Sequence, residues 1–268
     1  MKKQKSNTPA PLGTVPNGIK FSVFEKEKAL NIFFVAGAPN MDVSVQCLRK
    51  LPASGADIIE IGVPYSDPLA DGPVIRDAYA RALASGVTLN KVLELVAAER
   101  RNVPVPIVLM IYSNLVLHRG EDNFIGDAVK SGVNGLIIPD MMYPYTKKFA
   151  AKCRAAGIAF IPLAAPATES GRIRDISLSG DGFLYYVNVE GITGVRENLP
   201  KGIARRLAKV SASSVLPVMS GFGISRPEHI KAVKKYVDGV VVGSAVQNLL
   251  NKGEKPWALV EELKCSFS

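Results

Sequence analysis

Short apolar segments recur eight times along the chain, each followed by an amphipathic segment. The apolar segments are nearly continuous, which is typical of parallel strands that are covered on both faces. Eight strand–helix units in about 235 residues favour a closed barrel, although an open doubly wound sheet would show the same alternation. The predicted strands are 30–36, 57–61, 107–112, 135–139, 159–163, 182–187, 215–219 and 239–242.

The remaining segments complete the predicted domain. An extra helix is expected around 18–28, before the first strand, and residues 1–18 are expected to form a flexible N-terminal extension. A length of 268 residues suits one barrel domain, which we place at 19–268. The predicted fold is therefore α/β: a single-domain (β/α)8 TIM barrel with an extra N-terminal helix. Helices are predicted at 43–54, 88–101, 123–131, 145–156, 170–179, 201–211, 226–236 and 255–264.

Composition and charge narrow the class of protein. The chain is 47% hydrophobic and 21% charged. It contains no apolar run near the ~18 residues that span a membrane, and no secretory signal is visible, so we expect a cytoplasmic protein. The net charge is +9, but the basic residues are scattered over predicted helices. This pattern indicates an anionic small substrate or an acidic partner rather than nucleic acid.

Cysteine and histidine are too few and too scattered for most metal or nucleophile chemistry. The chain has three cysteines, Cys47, Cys153 and Cys265, and two histidines, His118 and His229. Their spacing matches neither a zinc site nor a disulfide framework. We therefore expect reduced structural thiols and no bound metal.

Acidic residues cluster in and after the second predicted strand. Glu60 lies within an isoleucine-rich run, where an unpaired carboxylate is costly to bury. The loop that follows contains three prolines and carries Asp67 and Asp71. Carboxyl groups in unlike surroundings can have their pKa values driven apart, which provides an acid/base and a charge stabiliser. A structural ion pair at Glu60 and turn-capping aspartates are the alternative.

Glycine-rich turns follow three of the later predicted strands. Glycine lets the backbone approach an anion, and N–H groups at a helix start bind phosphate. In barrels this site is commonly built by the loops after the last two strands. Ordinary tight turns are the alternative reading. The turns are 190–194, 220–225 and 242–245.

These motifs together resemble a known family. The segment from Glu60 to Pro73, Glu-Ile-Gly-Val-Pro-Tyr-Ser-Asp-Pro-Leu-Ala-Asp-Gly-Pro, is similar to the signature of the tryptophan synthase α subunit. Further matches follow in the family's order at 106–114, 191–194, 221–225 and 243–245. The resemblance implies a (β/α)8 barrel that cleaves indole-3-glycerol phosphate to indole and D-glyceraldehyde 3-phosphate in L-tryptophan biosynthesis. It also implies no cofactor in this chain, and a β-subunit partner that holds pyridoxal phosphate in an α2β2 heterotetramer.

The resemblance also implies residue roles. Glu60 matches the general acid/base, and Asp71 matches the carboxylate that stabilises positive charge on the indole nitrogen. Thr193 matches the residue that closes a mobile loop by bonding to that aspartate, and Tyr185 matches an aromatic residue near the reacting end of the substrate. The matched phosphate-binding residues are Gly194, Gly223, Gly243 and Ser244, and the matched indole-pocket residues are Phe33, Met110, Ile137, Phe222 and Val241. For the apolar residues of the matched indole pocket, the alternative is that they simply belong to the barrel core.

The chain departs from the family pattern at one loop. Gly37-Ala38-Pro39 stands where the family usually has Gly-Asp-Pro, so a contact made by that aspartate in relatives is missing. Two other functions remain open at this point. One is a stand-alone indole-3-glycerol phosphate lyase, and the other is a non-catalytic phosphate-ligand sensor, against which the presence of both Glu60 and Asp71 argues.

Overall fold

Parallel strands form a single sheet that curls into a barrel. The computed structural model describes residues 22–25, 27–69, 71–142, 144–187, 199, 202–221 and 223–268. Every strand pairing in this sheet is parallel, in the order β5-β4-β3-β2-β1-β9-β8-β7-β6. The strands are β1 (Ala29–Val35), β2 (Ile58–Gly62), β3 (Ile107–Met110), β4 (Gly135–Ile137), β5 (Ala159–Phe160), β6 (Leu163–Ala164), β7 (Leu184–Val187), β8 (Val218–Gly221) and β9 (Gly239–Val242).

The two ends of this strand order meet in one extended segment. Only Ile161 and Pro162 separate β5 from β6. The N–H of Ile161 donates to the carbonyl of Leu136 on one side, and the carbonyl of Pro162 accepts from the N–H of Tyr185 on the other, both at 2.9 Å. Proline has no N–H, which accounts for the break in the ladder. The fifth predicted strand therefore closes the sheet, and the (β/α)8 barrel is confirmed.

Helices follow the strands along the chain. Two short 3₁₀ turns lie at Ser22–Glu25 and Arg100–Asn102. The helices are α1 (Met41–Lys50), α2 (Pro73–Ala84), α3 (Leu89–Glu99), α4 (Ser113–Arg119), α5 (Glu121–Ser131), α6 (Tyr145–Ala155), α7 (Ser170–Ser179), α8 (Ile203–Ser213), α9 (Pro227–Val233), α10 (Ser244–Asn251) and α11 (Trp257–Cys265). In the described part of the chain no helix is long and apolar enough to cross a membrane.

The sequence prediction needs correction at several elements. Helices α2, α4 and α10 were not predicted. α2 begins at Pro73, since proline is well suited to the first turn of a helix, whereas we assigned that residue to the loop. The expected extra helix at 18–28 is a single 3₁₀ turn over its described part, and the predicted extension at 1–18 lies outside the described residues. The strand predicted at 215–219 corresponds to β8, which begins three residues later, at Val218.

Strands β1 and β2 each carry one buried polar side chain among apolar ones. All residues of β1 and β2 are buried, as expected for strands that helices cover on the outside. Most are aliphatic or aromatic, but Asn31 on β1 and Glu60 on β2 are completely buried too. Burying an amide and a carboxyl group opposes folding unless other groups bond to them. These two polar residues therefore indicate a candidate functional site at the end of the barrel where Glu60 lies.

Candidate active site

A cavity of about 480 Å³ opens at the carboxyl ends of the strands, where barrels of this type carry their binding sites. Residues from both halves of the barrel meet there. The lining residues are Phe33, Glu60, Asp71, Ile75, Met110, Tyr185, Gly223, Ile224, Ser225, Val241, Gly243, Ser244 and Ala245.

Glu60 lies in the wall of this cavity on β2. Its side chain is fully buried, and Oε2 accepts a hydrogen bond of 2.6 Å from the side-chain amide of Asn31. Burial raises the pKa of Glu60 to about 8, with the nearby charge of Asp71 adding to the rise and the bond from Asn31 opposing it. Removal of the carboxylate from water is the main cause, because burial penalises the charged form.

Asp71 lies in the loop between β2 and α2. Its backbone N–H donates to the carbonyl of Pro68, three residues earlier in the loop, at 3.1 Å. The carboxylate is 4% exposed and accepts a 2.7 Å hydrogen bond from the hydroxyl of Tyr112. Burial raises the pKa of Asp71 to about 6, and the bond from Tyr112 opposes that rise. The ring of Tyr112 is in turn stacked on Tyr65, with centroids 4.8 Å apart.

The two carboxyl groups differ in their protonation state near neutral pH. With pKa values of about 8 for Glu60 and about 6 for Asp71, the first is mostly protonated and the second mostly ionised near pH 7. Such a pair provides a proton donor and a fixed negative charge in the same cavity. Because the charge on Asp71 raises the pKa of Glu60, the two ionisations are coupled and occur in sequence.

The opposite part of the cavity is formed by glycine-rich strand ends. Gly223 follows β8 with φ of +85°, a conformation that favours glycine. Gly243 follows β9, and a Cβ there would lie 3.1 Å from Cδ1 of Phe33. Ser244 is the first residue of α10, so the N-terminal N–H groups of this helix face the cavity. A helix start next to close-approaching backbone is suited to bind an anion.

The structure assembles most of the residues that the sequence put forward. Phe33, Met110, Tyr185 and Val241 line the same cavity as Glu60 and Asp71. Ile137 does not line it; it is a buried residue of β4, paired in register with Met110. Thr193, Gly194 and Phe222 lie outside the described residues.

Sequence reasoning missed several residues of this site. Asn31 is a polar residue in an otherwise apolar strand, which is a readable signal, and Tyr112 lies two residues after the end of β3. Ile75 was missed together with its helix α2. Within the described part of the chain, no group of three or more His, Cys, Asp or Glu side chains is arranged to hold a metal ion. Ile224, Ser225 and Ala245 also line the cavity; they lie in the predicted glycine-rich turns but were not assigned individual roles.

The fold and the cavity define a (β/α)8 barrel with its binding site at the carboxyl ends of the strands. The family model "Tryptophan synthase alpha chain" matches residues 21–267, and the chain belongs to this family.

Individual relatives agree with the family model. The chain is 41% identical over 259 residues to the tryptophan synthase alpha chain of Prochlorococcus marinus, which covers 94% of this chain and 93% of that protein. It is 46% identical over 215 residues to the one from a Geobacillus species, with 80% and 81% covered. The structure of Mycobacterium tuberculosis tryptophan synthase is 34% identical and has a TM-score of 0.84, with 91% of this chain and 96% of that chain covered. The family predicted from the motifs, with its alpha-chain role in tryptophan biosynthesis, is confirmed.

Proposed function

We propose that this chain cleaves indole-3-glycerol phosphate by a retro-aldol reaction to indole and D-glyceraldehyde 3-phosphate, as a carbon–carbon lyase. One observation supports this above all: the carboxyl groups of Glu60 and Asp71, with pKa values of about 8 and about 6, share one cavity with glycine-rich strand ends. The substrate has an aromatic ring that must be protonated and a phosphate that must be held. The cavity offers groups suited to both tasks.

Glu60 is the proposed acid and base. Its protonated carboxyl group donates a proton to the indole carbon that bears the glycerol phosphate side chain. The resulting carboxylate then removes the proton from the adjacent hydroxyl group, the carbon–carbon bond breaks, and its electron pair returns to the ring. The aldehyde and indole form, and Glu60 is again protonated. A pKa of about 8 suits both steps, since neither protonation state is far from neutral pH.

Asp71 is the proposed charge stabiliser. The ring carries positive charge on its nitrogen after protonation, and an ionised carboxylate nearby stabilises that state. The charge develops during the reaction, so Asp71 acts on turnover more than on substrate binding. The hydrogen bond from Tyr112 favours the ionised form that this role requires.

Substrate binding is divided between the two parts of the cavity. We assign the phosphate to Gly223, Gly243 and Ser244 at the start of α10, because N–H groups there are directed at the cavity. The indole ring is assigned to the apolar part. Phe33, Met110, Tyr185 and Val241 line that part. Gly194, Thr193, Phe222 and Ile137 are included from the family resemblance alone.

We further propose a β-subunit partner in an α2β2 assembly. Relatives of this chain are named as alpha chains, which implies a second type of chain. Large apolar side chains are exposed in segments that follow β2, β3 and β4: Leu69 is 85%, Leu117 61% and Met142 74% exposed. Exposed apolar side chains in segments after three neighbouring strands support docking at this end of the barrel. Pyridoxal phosphate is assigned to the partner and no cofactor to this chain, and the assembly is placed in the cytoplasm.

Indole release from indole-3-glycerol phosphate, with and without a β subunit, tests the proposal. The wild-type chain should release indole, and more rapidly with the partner. Glu60→Gln should bind substrate with turnover reduced at least about a thousandfold, because it retains shape but cannot transfer the proton. Asp77→Asn, which changes a surface carboxylate paired with Arg81, is the matched control. A wild-type chain that binds the substrate but releases no indole under either condition would establish a sensor instead.

A further inference from the structure

The two oxygens of the Glu60 carboxyl group have different surroundings. Oε2 accepts the 2.6 Å hydrogen bond from Nδ2 of Asn31, and both side chains are fully buried. No described residue donates a hydrogen bond to Oε1. Both oxygens are buried, and since Glu60 lines the cavity, Oε1 is the oxygen whose hydrogen-bonding capacity the described residues leave unused.

Asn31 lies deeper in the barrel than the cavity. Its Cα pairs with Ile58 of β2, whereas Phe33 pairs with Glu60. Side chains two residues apart on a strand point to the same face, so Asn31 faces the barrel interior one layer below Phe33. Phe33 lines the cavity and Asn31 does not. Asn31 is therefore placed to act through Glu60 and not by touching substrate.

The amide of Asn31 is an unfavourable choice for packing alone. The strand β1 reads Ala-Leu-Asn-Ile-Phe-Phe-Val and is buried throughout. Oδ1 of Asn31 has no hydrogen-bond partner among the described residues, so part of the amide is buried without compensation. An aliphatic residue of similar size would fill this position without that penalty. Its bond to Glu60 is the one described interaction of the side chain that explains a polar residue here.

We propose that Asn31 is a positioning residue for proton transfer: its amide holds Oε2 of Glu60 and leaves Oε1 as the oxygen that exchanges a proton with the substrate. This role rests on the proposed cleavage reaction, in which Glu60 is the acid and base. An N–H donor also favours the charged form of a carboxyl group. Asn31 therefore opposes the burial that would otherwise keep the proton on Glu60.

Among the described residues, three other titratable groups interact electrostatically with Glu60, and none of them can replace this effect. The charge of Asp71 raises the pKa of Glu60. The phenols of Tyr79 and Tyr185 are buried, and burial, together with the negative charges of Asp71 and Glu60, raises their pKa values well above the ordinary value. Both phenols are consequently neutral near pH 7. Among the described groups around Glu60, Asn31 is the one that lowers its pKa.

Two substitutions test the role of Asn31. Asn31→Val removes the donor and suits a buried strand, whereas Asn31→Asp keeps the shape but replaces the amide with an acid. For both we expect kcat for indole release to fall at least about tenfold while KM changes less than about threefold. The alkaline limb of the kcat profile should move up by about one pH unit, because the pKa of Glu60 rises. Ile32→Val, on the opposite face of the same strand, should leave the profile unchanged.

A direct titration of Glu60 tests the role of Asn31 independently of the proposed reaction, because it needs no substrate. The ¹³C NMR signal of the Glu60 Cδ, identified by its loss in Glu60→Gln, can be followed with pH in the absence of substrate. We expect its pKa to rise by about one unit in Asn31→Asp and Asn31→Val. A pKa that does not move, or a lower kcat with an unchanged pH profile, overturns the role of Asn31. If Asn31→Val does not fold, Asn31→Leu, which removes the donor without adding a charge, decides. A wild-type chain without indole release would refute the proposed reaction, while the titration would still judge Asn31.

Discussion

Glu60 and Asp71 are both carboxyl groups in one cavity, yet their neighbours make them different acids. Burial raises both pKa values, to about 8 and about 6. Among the described residues, each accepts a hydrogen bond from one donor, the amide of Asn31 for Glu60 and the phenol of Tyr112 for Asp71. The negative charge on Asp71 raises the pKa of Glu60 further. Asp71 therefore ionises first, and its ionisation keeps the proton on Glu60.

Tyr112→Phe should weaken catalysis mainly at low pH. The bond from Tyr112 lowers the pKa of Asp71, so its loss should raise that pKa and move the acid limb of kcat up by about one unit. The measurement is kcat for indole release from pH 5 to 9. Tyr65→Phe is the matched control, since Tyr65 stacks on Tyr112 but does not bond to Asp71. An equal acid limb in both variants would show that Tyr112 does not control Asp71.

Glu60→Gln should make the fold more stable at alkaline pH. The pKa of Glu60 is raised from 4.5 to about 8 in the folded chain, so the unfolded chain loses this proton first. Stability is full below about pH 4.5 and falls as the pH rises towards 8. Glutamine does not ionise, and the variant should therefore gain a few kcal/mol over wild type at pH 8 but much less at pH 5. Urea unfolding at both pH values measures this; an advantage independent of pH would contradict it.

Among the helices and strands, sequence reasoning succeeded where one element had one clear pattern. The strand β9 and the helix α7 lie where they were predicted, because each is bounded by glycine or polar residues. The prediction failed at α2, where Pro73 both ends a stiff loop and begins a helix. It also missed that Pro162 splits the fifth strand into two short pieces that pair with different neighbours.

A buried side chain of helix α10 forms a hydrogen bond with strand β1. Oε1 of Gln247 accepts the backbone N–H of Val35 at 2.9 Å, and the side chain is fully buried. Gln247→Leu would leave that N–H without an acceptor, so we expect a loss of about 1–3 kcal/mol in urea unfolding. The start of α10 carries the proposed phosphate site, so KM should rise as well. Asn248→Ala, one residue along the helix, is the control; equal stability of the two variants would contradict this account.

The site as a whole depends on contacts that sequence alone does not reveal. Glu60 and Asp71 stood out because their acidic groups occur in an apolar strand and a proline-rich loop. Their donors, Asn31 and Tyr112, come from positions 29 and 41 residues away. Whether such side chains meet depends on the register between neighbouring strands, and that register is a property of the closed barrel.

The exposed apolar residues at the barrel mouth lead to a prediction about the assembly. Met142 is 74% exposed in the segment after β4. Met142→Ser should leave partner-free indole release unchanged but raise the β-subunit concentration for half-maximal activation about tenfold, because an apolar contact is lost. Leu178→Ser changes a leucine on α7 that is 58% exposed and is the control. Equal activation of both variants would show that the partner does not bind at this face.

The pH dependence of indole release tests most directly whether the two carboxyl groups perform the chemistry. For the wild-type chain we expect a bell-shaped kcat profile, which falls below about pH 6 as Asp71 is protonated and above about pH 8 as Glu60 ionises. A profile that stays flat through both pKa values would show that indole release does not require a protonated Glu60 and an ionised Asp71.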